Sequence, residues 1–119
     1  MTLYINTADQ EQVIIALRDG NKIVKQSTFK ASRSQAEKLL PAIEKLLKST
    51  HSKLADLKKI EVANFGGSFT ALRIGVITAN ALGYALNIPV VSESLRGVKK
   101  FKKISVVEPA YDRPPNIGK

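Results

Sequence analysis

The spacing of apolar residues along this chain changes from strand-like to helical and back. Leu3 to Thr7 and Val13-Ile14-Ile15-Ala16-Leu17 are short, β-rich runs, and Asp19-Gly20 is a hairpin signal leading into a third run, Lys22 to Phe29. Three antiparallel strands are therefore predicted first. In the third, Ile23, Lys25, Ser27 and Phe29 share one face while Lys22, Val24, Gln26 and Thr28 share the other, an imperfect alternation that suits an outer strand.

Helical spacing takes over at Ser34. Ser34 followed by Glu37 has the form of a capping box, and Ala36, Leu39, Leu40, Ile43, Leu46 and Leu47 form an apolar stripe to about Ser49. This stripe is wider than one narrow buried face requires. Pro41 inside it predicts a kink, because it removes a backbone hydrogen bond and crowds the preceding turn at about 3 kcal/mol. Ser52 to Leu57 reads as one short turn, Ile60 to Asn64 as a fourth strand and Ile88 to Val91 as a fifth.

Between the last two strands lies the stretch around which the rest is ordered, Asn64-Phe65-Gly66-Gly67-Ser68-Phe69-Thr70-Ala71-Leu72-Arg73-Ile74-Gly75. It reads as a strand end, a glycine turn and the start of a helix running to about Leu86 with no proline and one charge, Arg73. Paired glycines permit a crowded or left-handed backbone, and Ser68 is placed to cap the helix. Gly67, Ala71, Gly75, Ala79 and Gly83 recur four apart, so they fall near one line where another backbone can approach closely. The apolar run is too short to span a membrane, and Arg73, Thr78 and Asn80 interrupt it, so it reads as a soluble helix buried on two faces.

A strand, helix and strand in succession require a parallel pair with a right-handed crossover. The expected fold class is therefore α/β: a single lobe with a five-stranded mixed sheet, three antiparallel strands followed by parallel ones, and two main helices in the order βββαβαβ. Residues 1–98 form that lobe, ending in a short helix from Ser92 to about Val98. Residues 99–119 are a basic loop and tail with a possible strand at Lys103 to Val107, and Pro114-Pro115 ends regular structure.

Composition narrows the chemistry. A chain of 119 residues with 44% hydrophobic content fits one domain with its own core. It has no cysteine, which removes disulfides, thiolate metal sites and cysteine nucleophiles together. The single histidine, His51, lies in a polar turn and reads as a surface residue. Asp9, Glu11, Asp56, Glu61 and Glu93 show no paired-carboxylate spacing, and no lysine follows the glycines as in a phosphate-binding loop. No metal or cofactor is expected. Met1 to Ile5 lacks a basic region and a long apolar core, so no signal peptide is expected and the default compartment is the cytoplasm.

The net charge is +9. It lies to either side of the central helix, and its densest run is Lys99-Lys100-Phe101-Lys102-Lys103. Lys99, Lys100, Lys102 and Lys103 are candidates for weak tRNA contact, although a solvated basic loop is the plainer account of them.

Residues 2 to 95 resemble the N-terminal lobe of the TsaB (YeaZ) family, which has the actin-like ATPase fold and takes part in making threonylcarbamoyladenosine in tRNA. The resemblance rests on Ile5-Asn6-Thr7, the Asp19-Gly20 hairpin, Ser34 through Leu40-Pro41 with Ile43, Leu54-Ala55-Asp56-Leu57, and above all Gly67-Ser68-Phe69-Thr70 with Leu72-Arg73-Ile74-Gly75. The ending Pro109-Ala110-Tyr111-Asp112-Arg113-Pro114-Pro115 is also similar. Two departures matter. About a dozen residues stand where the family has a second lobe, so no cleft is expected to close on a nucleotide. The first strand carries Asn6 where active relatives place an aspartate near the metal, and asparagine lacks the charge that holds a hard cation.

The resemblance implies a non-catalytic scaffold subunit that pairs with the catalytic subunit TsaD through its two helices, with the ATPase TsaE as a further partner and tRNA an indirect one. Leu39, Leu40, Ile43 and Leu47, with Ala71, Gly75, Ala79 and Gly83, are the expected interface, because together they offer more apolar surface than one sheet covers. A homodimer through the same surface is expected when the partner is absent. A small RNA-binding module, a residual ATPase and a peptidase remain as alternatives.

Overall fold

In a computed structural model, residues 1–9, 11–31, 34–64 and 69–93 are described. The elements are β1 (Thr2–Asn6), β2 (Gln12–Asp19), β3 (Lys22–Lys30), α1 (Gln35–Ser49), a 3-10 turn (Leu54–Asp56), β4 (Lys59–Val62), α2 (Phe69–Leu86) and β5 (Val90–Ser92). Apart from the 3-10 turn this is the βββαβαβ order that the periodicity predicts. The strands form one mixed sheet in the order β3-β2-β1-β4-β5. β1 and β2 pair antiparallel, as do β2 and β3, whereas β1 with β4 and β4 with β5 are parallel.

Register explains the core. Leu17, Leu3, Ile60 and Val90 are successive cross-strand partners, and Ile15, Ile5 and Val62 form the next row. All seven are buried under α1 and α2 in one cluster. Each such side chain stabilises the fold by about 1.5–3 kcal/mol relative to exposure. On the opposite face the row reads Ala16, Tyr4, Glu61 and Val91, which is far more polar.

α1 faces the sheet with Leu39, Ile43, Leu46 and Leu47, whereas Ala36 and Leu40 lie outside, so its buried stripe is narrower than the sequence pattern predicts. The helix runs through Pro41 without interruption, and Pro41 is exposed. The capping box does not form: Ser34 makes no side-chain cap bond. Its amide already donates to the Ala31 carbonyl at 2.9 Å, which leaves the Glu37 carboxylate no cap amide to accept. His51 and Asn87 have φ near 57°, the left-handed region favoured just past a helix end, and both directly follow the last turn of a helix. β3 is the outer strand expected from its alternation, with a register irregularity opposite Leu17 and Arg18. The glycine turn, the short helix expected to Val98, the lysine run and the tail lie outside the described residues.

Candidate functional site

Three places carry unusual chemistry or exposure. The first is where the end of β1 meets α2. Thr7 is fully buried, and its hydroxyl donates to the Ala71 carbonyl while accepting from the Gly75 amide at 3.1 Å. Ala71 and Gly75 stand four apart, so a strand-end hydroxyl occupies a rung of the helix ladder. A Cβ on Gly75 would lie 2.6 Å from Thr7 Oγ1. Gly83 is similarly constrained: a Cβ there would run into the Val90 side chain and lie 3.1 Å from the Ile88 carbonyl oxygen.

These contacts show what the small residues of α2 meet within the chain. Ala71, Gly75, Ala79 and Gly83 do permit a close approach, but what approaches is this chain's own β1 end and β5. Leu39, Ile43 and Leu47 are likewise in the core, at 0–4% exposure, so of the eight residues named for the interface only Leu40 faces outward. This burial has a simple cause. A sheet of five strands is broad enough to cover both helices, and small residues let α2 settle close to it.

What α2 does present outward is Ile77 and Tyr84, 58% and 82% exposed. They are two turns apart on one line, with exposed Ala81 between them and Arg73 exposed one turn earlier. Leu40 on α1 is 49% exposed, and α1 and α2 are in contact. A large aromatic so open to solvent at coiled-coil spacing from an isoleucine was legible in the sequence as an i, i+7 pair. The stronger signal of the small residues drew attention to the other face.

The second place is the polar face of the sheet. Tyr4 donates to Glu93 Oε1 at 2.9 Å and accepts from Asn6 Nδ2 at 3.0 Å, while Asn6 Oδ1 accepts from the Ala8 amide at 2.9 Å. Burial, and then the hydrogen bond and charge of Glu93, push the Tyr4 phenol up to about 12, with the Asn6 contact opposing. Beside it Arg18 pairs with the buried Glu61 carboxylate. Sequence reading singled out Asn6 but missed this network. Tyr4 and Asn6 share a strand face by alternation, yet nothing local pairs them with Glu93, 89 residues from Tyr4.

The third is a groove between α1 and β3, lined by lysines over an apolar floor. Lys99, Lys100, Lys102 and Lys103 are outside the described residues, as is the Gly66-Gly67-Ser68 turn. Among the described residues no three of His, Cys, Asp and Glu come together. No described helix is long and apolar enough to cross a membrane.

Comparison with known proteins gives consistent matches. A family model described as "TsaD: tRNA N6-adenosine threonylcarbamoyltransferase" matches residues 27–95. The tRNA threonylcarbamoyladenosine biosynthesis protein TsaB of Bacillus subtilis (strain 168) is 34% identical over 88 residues, covering 74% of this chain and 38% of that protein. TsaB of Buchnera aphidicola subsp. Acyrthosiphon pisum (strain APS) is 27% identical over 86 residues, covering 70% of this chain and 39% of that protein. Among solved structures, YeaZ from Pseudomonas aeruginosa aligns with a TM-score of 0.64 at 25% identity over 76% of this chain and 41% of that one. The chain thus spans about two-fifths of the length of these relatives.

Proposed function

We propose a function from one premise: the chain belongs to the tRNA N6-adenosine threonylcarbamoyltransferase family, within which it resembles TsaB (YeaZ). It acts in the cytoplasm in tRNA threonylcarbamoyladenosine biosynthesis, as a non-catalytic scaffold that docks on the catalytic subunit TsaD. TsaE is a further partner in the larger assembly, and tRNA is reached indirectly.

The observation that carries the docking reading is the outward apolar line of α2, Ile77 and Tyr84, with Leu40 also exposed on the neighbouring α1. Residues at that spacing build a helix-to-helix seam, and an exposed aromatic is a common anchor of protein interfaces. Without the partner, two copies of the chain pair through the same line. A scaffold role is also supported at β1. Asn6 is neutral, and both ends of its amide are engaged within the chain by Ala8 and Tyr4.

Size-exclusion chromatography with light scattering, on the chain alone and mixed with TsaD of the same organism, tests this. A dimer that converts to a one-to-one complex is expected. Ile77→Asp should abolish both species and leave a folded monomer with an unchanged circular dichroism spectrum, because the side chain is 58% exposed in the single chain and carries no core contact there. A strict monomer that ignores TsaD, or an Ile77→Asp variant that still binds, refutes the reading. ATP turnover with magnesium that depends on Ser68 would replace the scaffold by the residual ATPase.

A further inference from the structure

We infer that the groove between α1 and the edge strand β3 binds an extended, acidic segment of a partner protein, which adds to β3 as a sixth strand. This surface is separate from the outward line of α2, so it holds or fails independently of the docking proposed above.

Three observations converge on that occupant. The groove encloses about 420 Å³, a volume ordinary for a binding pocket, and its floor is apolar: Phe29 from β3 with Pro41, Ala42 and Leu46 from α1. Its rim carries Lys25, Lys38 and Lys45 against one carboxylate, Glu37, so the field over the apolar floor is positive. All three lysines are exposed, and they come from two elements that have no reason to concentrate charge for folding. An anionic ligand relieves that repulsion.

The shape of the ligand follows from β3. This strand is nine residues long and ends the sheet among the described residues, so its outer edge offers backbone groups to an added strand. Such an edge is a hazard unless it is blunted or used, and here Ile23 and Val24 remain more than 40% exposed along it. An added strand runs along the groove that β3 and α1 line together. Every second side chain then points into the groove, where acidic groups meet the lysines and apolar ones meet Phe29 and Pro41. RNA fits less well. Among the groove residues the one aromatic, Phe29, is half-buried and part of the floor, so it offers no open face for a base to stack on.

The probe is a fluorescein-labelled nine-residue peptide with glutamate and leucine alternating on one strand face and threonine on the other, read by fluorescence anisotropy on the full chain. Its counterpart with lysine in place of glutamate is the control. The acidic peptide is expected to bind and the lysine peptide not to. Lys25→Glu, Lys38→Glu and Lys45→Glu together should weaken binding by at least about tenfold without lowering Tm. N-methylation of one alternate set of peptide amides should abolish binding while methylation of the other set is tolerated, the signature of one-sided strand pairing. Failure of the acidic peptide to bind, equal binding of the lysine peptide, unchanged affinity of the triple variant or tolerance of both methylated sets would each overturn the inference. So would an oligouridine that displaces the acidic peptide, which would assign the groove to RNA.

Discussion

Replacing Gly75 with alanine isolates the contact between Thr7 and α2. In an unconstrained helix interior, alanine is more stable than glycine by about 1 kcal/mol, so the substitution should help. Here the new methyl would stand 2.6 Å from Thr7 Oγ1 and 3.3 Å from Thr7 Cγ2. Thr7 cannot yield without giving up its bonds to the Ala71 carbonyl and the Gly75 amide, each worth about 1 kcal/mol net. Residual overpacking adds about 1 kcal/mol at the low end of its range. The propensity gain offsets one of these three losses, so Gly75→Ala should destabilise the chain by about 2 kcal/mol. Truncating Thr7 removes the obstacle. In a Thr7→Ala background the same substitution should stabilise by up to about 1 kcal/mol, a coupling of about 3 kcal/mol between the two positions. Urea denaturation of the four proteins, with m held constant across the set, reads this directly. A stabilising Gly75→Ala in the parent chain, or an equal cost in both backgrounds, would show that the hydroxyl does not sit in the helix ladder.

Two further outcomes follow from the same structure. Gly83→Ala meets backbone as well as side chain, so it should cost more than Gly75→Ala in the same urea assay; Val90→Ala should recover only part of the loss, because the Ile88 carbonyl remains in the way. Tyr4 keeps its proton up to about 12 when folded and to its ordinary value of 10.0 when unfolded. Below that window both states are protonated and stability is unaffected; within it only the unfolded chain releases the proton, so stability falls as pH rises. Stability measured across that range should therefore lose part of its slope in Tyr4→Phe, and an unchanged slope would place the titration elsewhere.

The architecture was legible because it rests on period and punctuation. The Asp19-Gly20 turn, the alternation of β3 and the proline-free run from Phe69 to Leu86 each act locally, and each gave its element within about two residues. What the pattern could not supply was which side of a helix meets the sheet. Leu40 and Leu47 are equivalent on composition, yet one is half-exposed and the other is in the core, because position on the sheet decides and position on the sheet is a tertiary property. The small line of α2 is ambiguous for a related reason. Absence of side chains signals a close neighbour without saying whether it belongs to the same chain. Ser34 and Glu37 matched a capping box, but the Ala31 carbonyl had already taken the amide that the motif needs. Arg18 and Glu61, 43 residues apart, and Tyr4 and Glu93, 89 apart, meet only once the strands have found their register.

The position of β1 sets a sequence of events as the chain is made. It is the middle strand of the sheet, yet it precedes the other four in the chain, and one of its two neighbours is β4, nearly sixty residues downstream. A nascent chain that has reached Ser49 can fold β1, β2, β3 and α1 into a local meander with low loop-closure cost. One side of β1 then stays open, with Leu3 and Ile5 uncovered and Thr7 lacking its helix, until Lys59–Val62 and α2 have left the ribosome. Early misassociation of this protein should therefore begin at β1 and not at the lysine-studded β3, and slowing synthesis between residues 50 and 86 should lengthen the period of risk.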